Sequence, residues 1–231
     1  MKLSISMTRR ETLFGWGYLL VSMFGLPFLI GWGSALLEKP LTEAMANLVY
    51  FAVNFLFTVI IFHRFLFSSL KAAAKRPWRC LRFAFLGLLI YYGAGLVLAQ
   101  IILRINPEFA NINDSTLMEM TQEHYGLMSF CTIFLVPITE EALYRGLLFQ
   151  GLQRKSRILA YILSTLIFAG IHVMGYIGFA DAQTLLLCYI QYLPAGLSLA
   201  WAYEKADTIV APMLMHIAIN QLAMSAMSVM R

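Results

Sequence analysis

The sequence predicts an all-α fold: a polytopic transmembrane helix bundle of about seven spans, with six to eight as the range. Three observations predict it. Hydrophobic residues make up 60% of the chain and charged residues only 13%, with a mean hydropathy of +0.73; a soluble domain carries about 25% charged residues. Apolar runs long enough to cross a bilayer recur along the whole length. Lysine and arginine gather in alternate connections between those runs. Residues 1–231 are read as one membrane domain, with no room for a second soluble module.

A crossing helix needs about 20 mostly apolar residues. Such runs lie near 12–37, 44–67, 83–103, 127–151, 158–177, 183–203 and 208–230. The first is too long for a signal-peptide core and lacks a small-residue cleavage site, so it is read as a retained span. Lys2, Arg9 and Arg10 precede it. Arg64, Lys71, Lys75, Arg76, Arg79 and Arg82 surround the second connection, Arg154, Lys155 and Arg157 the fourth, and Lys205 follows the sixth span. With seven spans these all fall on one side. The positive-inside rule makes that side the cytoplasm, for a multi-pass protein of the cell membrane with its N-terminus inside.

The connections need little else. The basic stretch 71–82 is read as a topogenic loop. "DSTLMEMTQEHYG", 114–126, is read as a short interfacial helix, with Thr116 and Glu119 at capping-box spacing and Leu117, Met118 and Met120 resting on the membrane surface. His63 and His124 are read as solvated residues at span edges or in loops. Cys80, Cys131 and Cys188 show neither metal spacing nor a disulfide framework and serve as small apolar fillers. The net charge of +5 is accounted for by topology and calls for no nucleic-acid partner.

Charge inside the membrane is a different matter. "EEALYRG", 140–146, sits near the middle of the fourth run, where insertion scales put one charge at about 2.5–3.5 kcal/mol. Glu140, Glu141 and Arg145 must therefore face the bundle interior or a wet cavity. Glu141 and Arg145, four apart, share a face and can pair. Glu140 is rotated from them by about 100 degrees and is left as the free carboxylate. Pro137 just before them removes a backbone donor and is expected to kink the helix. The fifth run carries Phe168 and His172, the seventh His216 and Asn220, each pair four apart and on one helix face. Counted along their helices, Glu140, His172 and His216 lie at similar depth. Three spans can thus bring a carboxylate, two imidazoles and an amide together.

That set suits attack of water on a carbonyl. Glu140 would act as general base, His172 would position the water or share the proton, and His216 with Asn220 would donate to the developing oxyanion. Ser129, Ser164 and Cys188 have no base at a useful spacing, and no HExxH pair occurs. A metal is an open alternative: Glu140, His172 and His216 would make a three-ligand zinc site with a free water position. The cofactor is left as zinc or none.

Taken in order, Glu140-Glu141-x-x-x-Arg145, Phe168-x-x-x-His172 and His216-x-x-x-Asn220 resemble the motifs of the CPBP family. These are CAAX-type proteases and bacteriocin-processing proteins, also called the Abi family of intramembrane endopeptidases. The resemblance covers roughly residues 125–225, within a motif-bearing core of 125–231, while the spans within 1–124 carry no motif. It implies Glu140 as water activator, His172 as the first motif histidine, His216 and Asn220 as oxyanion holders, and Glu141 and Arg145 in supporting positions. It implies hydrolysis of a peptide bond in a membrane protein or peptide, in bacteriocin or peptide processing or in immunity, with the lipid bilayer as surroundings. The alternatives are a non-catalytic immunity or sensor-regulating membrane protein, and a small transporter or proton relay.

Overall fold

The computed structural model describes residues 3–229. Seven helices long and apolar enough to cross a membrane follow one another: α1 (Arg9–Ala35), α2 (Glu43–Lys75), α3 (Pro77–Ile105), α4 (Ile112–Gln153), α5 (Arg157–Met174), α6 (Ala182–Ala206) and α7 (Val210–Val229). No strand forms among the described residues; the nearest to one is an isolated bridge between Ile177 and Ala180. Residue 230, in the seventh expected run, lies outside the described residues. The protein is a multi-pass membrane protein.

Start signals are read directly from the caps. Thr8, Thr42, Asn111, Ser156 and Asp181 each turn a side-chain oxygen onto a backbone N–H of the first turn of α1, α2, α4, α5 and α6. Thr8 and Glu11 form a full capping box.

Two expectations are corrected here. Residues 71–82 are not a loop. α2 runs on to Lys75 and α3 begins at Pro77, with Arg76 alone between them. Ala72–Ala74 favour helix, and a proline at the first helical position restarts one without losing a bond. Nor is 114–126 a separate surface helix. It is the first part of α4, which starts at Ile112 on its Asn111 cap and bends at His124 (φ −138, ψ 55). The Thr116–Glu119 box does not form; the Thr116 hydroxyl donates back to the Ile112 carbonyl at 2.9 Å. Leu117 and Met120 pack against Leu48, Met128 and Cys131 instead of lying on the membrane. His124 and His63 likewise sit within helices, with His63 Nδ1 2.9 Å from the Ile60 carbonyl.

The bundle has two unlike ends. At one, Thr208 donates to the Ser69 carbonyl, Arg79 to that of Lys205, and Gln150 to that of Ile5. Asp207 takes the left-handed conformation (φ 60) and accepts from the Ser4 N–H and hydroxyl at 2.7 and 2.6 Å. The basic connections all belong to this end, and the N-terminal arm is tied across it. At the other end, Asn111 donates to Gln191, Asn113 to Tyr192 and Thr42 to Glu123. α4 runs through the middle: Glu141–Phe149 are all buried.

Candidate active site

Pro137 does not simply kink α4. It is flanked by two π-helical stretches, Cys131–Leu135 and Glu141–Phe149. In the first, the Val136 N–H reaches back five residues to the Cys131 carbonyl. In that register the next donor would serve the Thr132 carbonyl, but residue 137 has no N–H to give. The orphaned carbonyl is taken across the bundle by Asn220 Nδ2 at 2.7 Å. A proline on α4 therefore sets the position of an amide on α7. Wide turns of this kind are frequent at functional sites.

The next two side chains divide as the helical spacing predicts. Glu141, fully buried, accepts from Arg145 Nη1 at 3.1 Å. Arg145, also fully buried, donates through Nη2 to the Gly196 carbonyl at 3.3 Å and lies 4.1 Å above the Phe168 ring. α6 comes this close because residue 196 is glycine: a Cβ there would stand 3.0 Å from the Thr165 Cα on α5. Glu140, half-buried, has no cationic partner, and its Oε2 has no hydrogen-bond partner among the described residues.

The imidazoles are held from behind. His172 Nδ1 lies 2.8 Å from the Phe168 carbonyl. A carbonyl can only accept, so Nδ1 carries the hydrogen and Nε2 of the neutral ring is left as an acceptor. Its face stacks on Tyr192 at 4.1 Å and 25°. The Tyr192 hydroxyl is fixed in turn by Asn113 Nδ2 at 2.9 Å. His216 Nδ1 lies 2.9 Å from Glu141 Oε1. Sequence spacing paired Glu141 with Arg145 alone; the structure adds His216 as a second partner on the same oxygen. Phe168 stands between the groups, with its centroid 4.7 Å from the His172 ring and 6.1 Å from that of His216.

Glu140, His172, His216 and Asn220 all line one cavity of about 690 Å³, with Phe168, Tyr144 and Thr139 in its wall. It reaches from these residues to the helix ends at Glu43, Asn111, Asp114 and Tyr176. Its walls include no residue of 3–21, 57–83 or 145–165, so it stops short of the basic end.

The zinc alternative meets a geometric test. Among the described residues no three His, Cys, Asp or Glu side chains gather in a group able to hold a metal ion. His216 is engaged with Glu141, and Glu140, His172 and His216 do not form the three-ligand cage that spacing allowed. No step is derived through a metal.

Several residues that bear on the site were not visible in the sequence. Tyr192 and Thr132 become legible only with their partners in place. Glu11 reads as a surface acid, yet it is 4% exposed and accepts the Phe65 N–H at 2.8 Å. That donor is freed where α2 breaks at Phe62 (φ −103, ψ 18). The Thr8–Glu11 capping-box spacing was the available signal. Glu204, 2% exposed, is gripped by Arg157, Tyr161 and Gln153 and ties α4, α5 and α6 at the basic end.

Comparison with known proteins adds one finding. Residues 122–222 match the family described as Type II CAAX prenyl endopeptidase Rce1-like. The matched stretch holds Glu140, His172, His216 and Asn220, which line the cavity, and the buried Glu141 and Arg145 behind them. No curated protein and no solved structure matches the chain.

Proposed function

We propose that the protein is an intramembrane endopeptidase whose water is activated by Glu140, a reading supported by the match of residues 122–222 to the Rce1-like CAAX endopeptidase family. The observation that carries this reading is the division of labour between adjacent carboxylates. Glu141 is committed to Arg145 and His216, while Glu140 keeps an unpartnered oxygen against the cavity.

Glu140 takes a proton from a water as that oxygen attacks the scissile carbonyl carbon. Charge moves to the carbonyl oxygen. The Asn220 amide has two N–H groups, one spent on Thr132, and the second donates to this oxyanion. His216 stands on the same helix face one turn earlier and donates from Nε2 when its ring carries both protons. His172 Nε2 accepts from the water and orients it. The C–N bond then breaks, the amine nitrogen takes the proton held by Glu140, and a carboxylic acid and an amine leave. Arg145, Phe168 and Tyr192 position these groups and do not touch the substrate.

The substrate is a membrane-associated protein or peptide that places an extended bond in the cavity. By the positive-inside rule the cavity faces away from the cytoplasm. The test is Glu140→Gln, nearly isosteric and without a base. Membrane peptidomes of wild-type and variant cells should differ in specific cleaved products, and purified variant protein should lose turnover by about 100- to 10,000-fold. Full processing by the variant overturns the mechanism and favours a non-catalytic immunity or sensor-regulating role.

A further inference from the structure

Charge is distributed very unevenly over the two ends of the bundle. At the end where the cavity opens, the described residues carry Glu38, Glu43, Glu108, Asp114, Glu119, Glu123 and Asp181 against Lys39 and Arg104. Topology explains the shortage of cations there, but not where the acids stand. Two of them, Glu43 at the start of α2 and Asp114 at the start of α4, line the cavity itself. The amides of Asn47, Asn113 and Gln191 line the same cavity. Among the described residues, no carboxylate of this end enters an ion pair; every such pair involves Glu141 or Glu204.

Much of the remaining wall is apolar, with Met23, Met120, Ile171, Ile219 and Met224 among its residues. The floor holds further unmatched polar groups. The hydroxyls of Thr132 and Thr139, in side chains 8% and 4% exposed, line the cavity without hydrogen-bond partners. Buried polar atoms are normally satisfied; these two, next to Glu140 and Asn220, make this part of the wall polar.

We propose that the cavity takes a peptide with a cationic stretch adjoining an apolar one, its Lys or Arg residues held at Glu43 and Asp114 and its apolar part leading to Glu140. This rests on the endopeptidase reading for what happens at the floor, but not for binding at the mouth. Charges at a partly enclosed rim act chiefly through encounter and specificity and weaken with salt.

The test separates binding from cleavage. Three fluorescent peptides share one apolar core and carry lysine, serine or glutamate flanks. Their binding to the full-length Glu140→Gln protein, reconstituted in zwitterionic lipid, is followed by anisotropy. Their cleavage is followed with the wild type. The lysine peptide should bind about 5- to 10-fold more tightly than the serine peptide. Added salt should compress the difference, and Glu43→Gln with Asp114→Asn should remove it. Glu43→Gln alone, at an exposed position, should remove part of it should the double variant fold poorly. Equal binding of the three peptides, or a preference that survives the substitutions, overturns the proposal, whether or not the wild type cleaves. Charge-selective binding with no cleavage of any peptide leaves this inference standing and removes the endopeptidase reading.

Discussion

His216 and Glu141 are 75 residues apart in the chain and meet at 2.9 Å in the bundle core, with Arg145 bound to the same carboxylate oxygen. Glu141 thus stands between two groups from different helices. Replacing it leaves a guanidinium without its counter-charge in a site that water does not reach, which costs about 3–5 kcal/mol. Glu141→Gln should therefore lower the thermal midpoint in detergent as well as turnover. Glu140→Gln should lower turnover without lowering the midpoint, because Glu140 has no partner to lose. Parallel melting curves and rates of the two variants check the division. Equal destabilisation by both would contradict it.

Asn220 links a backbone defect to the chemistry. Asn220→Ala removes the oxyanion donor of the proposed mechanism and should cost about 100- to 1,000-fold in kcat. It also orphans the Thr132 carbonyl, at about 1–3 kcal/mol. Pro137→Ala approaches the same contact from the other side, by supplying an N–H that competes for the freed carbonyls. Its expected signature is a reduced kcat with a midpoint that holds or rises.

Tyr192 acts through His172. Tyr192→Leu removes the ring beneath the imidazole and should lower kcat with little change in KM. Tyr192→Phe keeps the stack and loses only what the hydroxyl makes, the Asn113 bond, worth about 1 kcal/mol, and its contact with Asp114, and should restore most of the rate. A leucine variant with full kcat would show that the stack is only packing.

Gly196 sets the distance between α5 and α6. Gly196→Ala puts a methyl group 3.0 Å from the Thr165 backbone and should cost about 1–3 kcal/mol by overpacking. Because the Gly196 carbonyl also receives Arg145, activity should fall with stability. Melting and turnover measured together read both.

Acid should act on the connection between α5 and α6. Asp181 is held below the usual aspartate range, first by the Thr184 hydroxyl and then by the Thr184 N–H. A depressed folded value means that its contribution is present above about pH 4 and is lost as pH falls through the lower folded value. Asp181→Ala should lower the midpoint at neutral pH, and the gap to wild type should close in stronger acid. Asp181→Asn, which keeps a capping oxygen, should show less of this dependence.

The seven spans were legible because the bilayer imposes a length that few soluble helices imitate. Their ends were less so. Ala72–Ala74 and Pro77 continue helix through a polar stretch, and an apolar-run criterion does not see propensity. On the site, the i, i+4 rule paired Glu141 with Arg145 and left Glu140 free, as the geometry has it. The rule cannot reach between helices, so the His216–Glu141 contact, the Asn220–Thr132 bond and the Tyr192 stack were beyond it. A metal set drawn from residue types alone also lacked the knowledge that His216 is already taken.

The N-terminal arm bears on a cost that any wet catalytic hollow inside a bilayer must meet. Ser4 is bound to Asp207, Ile5 and Met7 to Gln150, and Glu11 to the broken turn of α2. These contacts seal the end that the cavity does not reach. Water reaching the cavity from one side would then have no continuous file of molecules to the other, so the hydrolysis proposed for this site would not short-circuit the ion gradient across the bilayer.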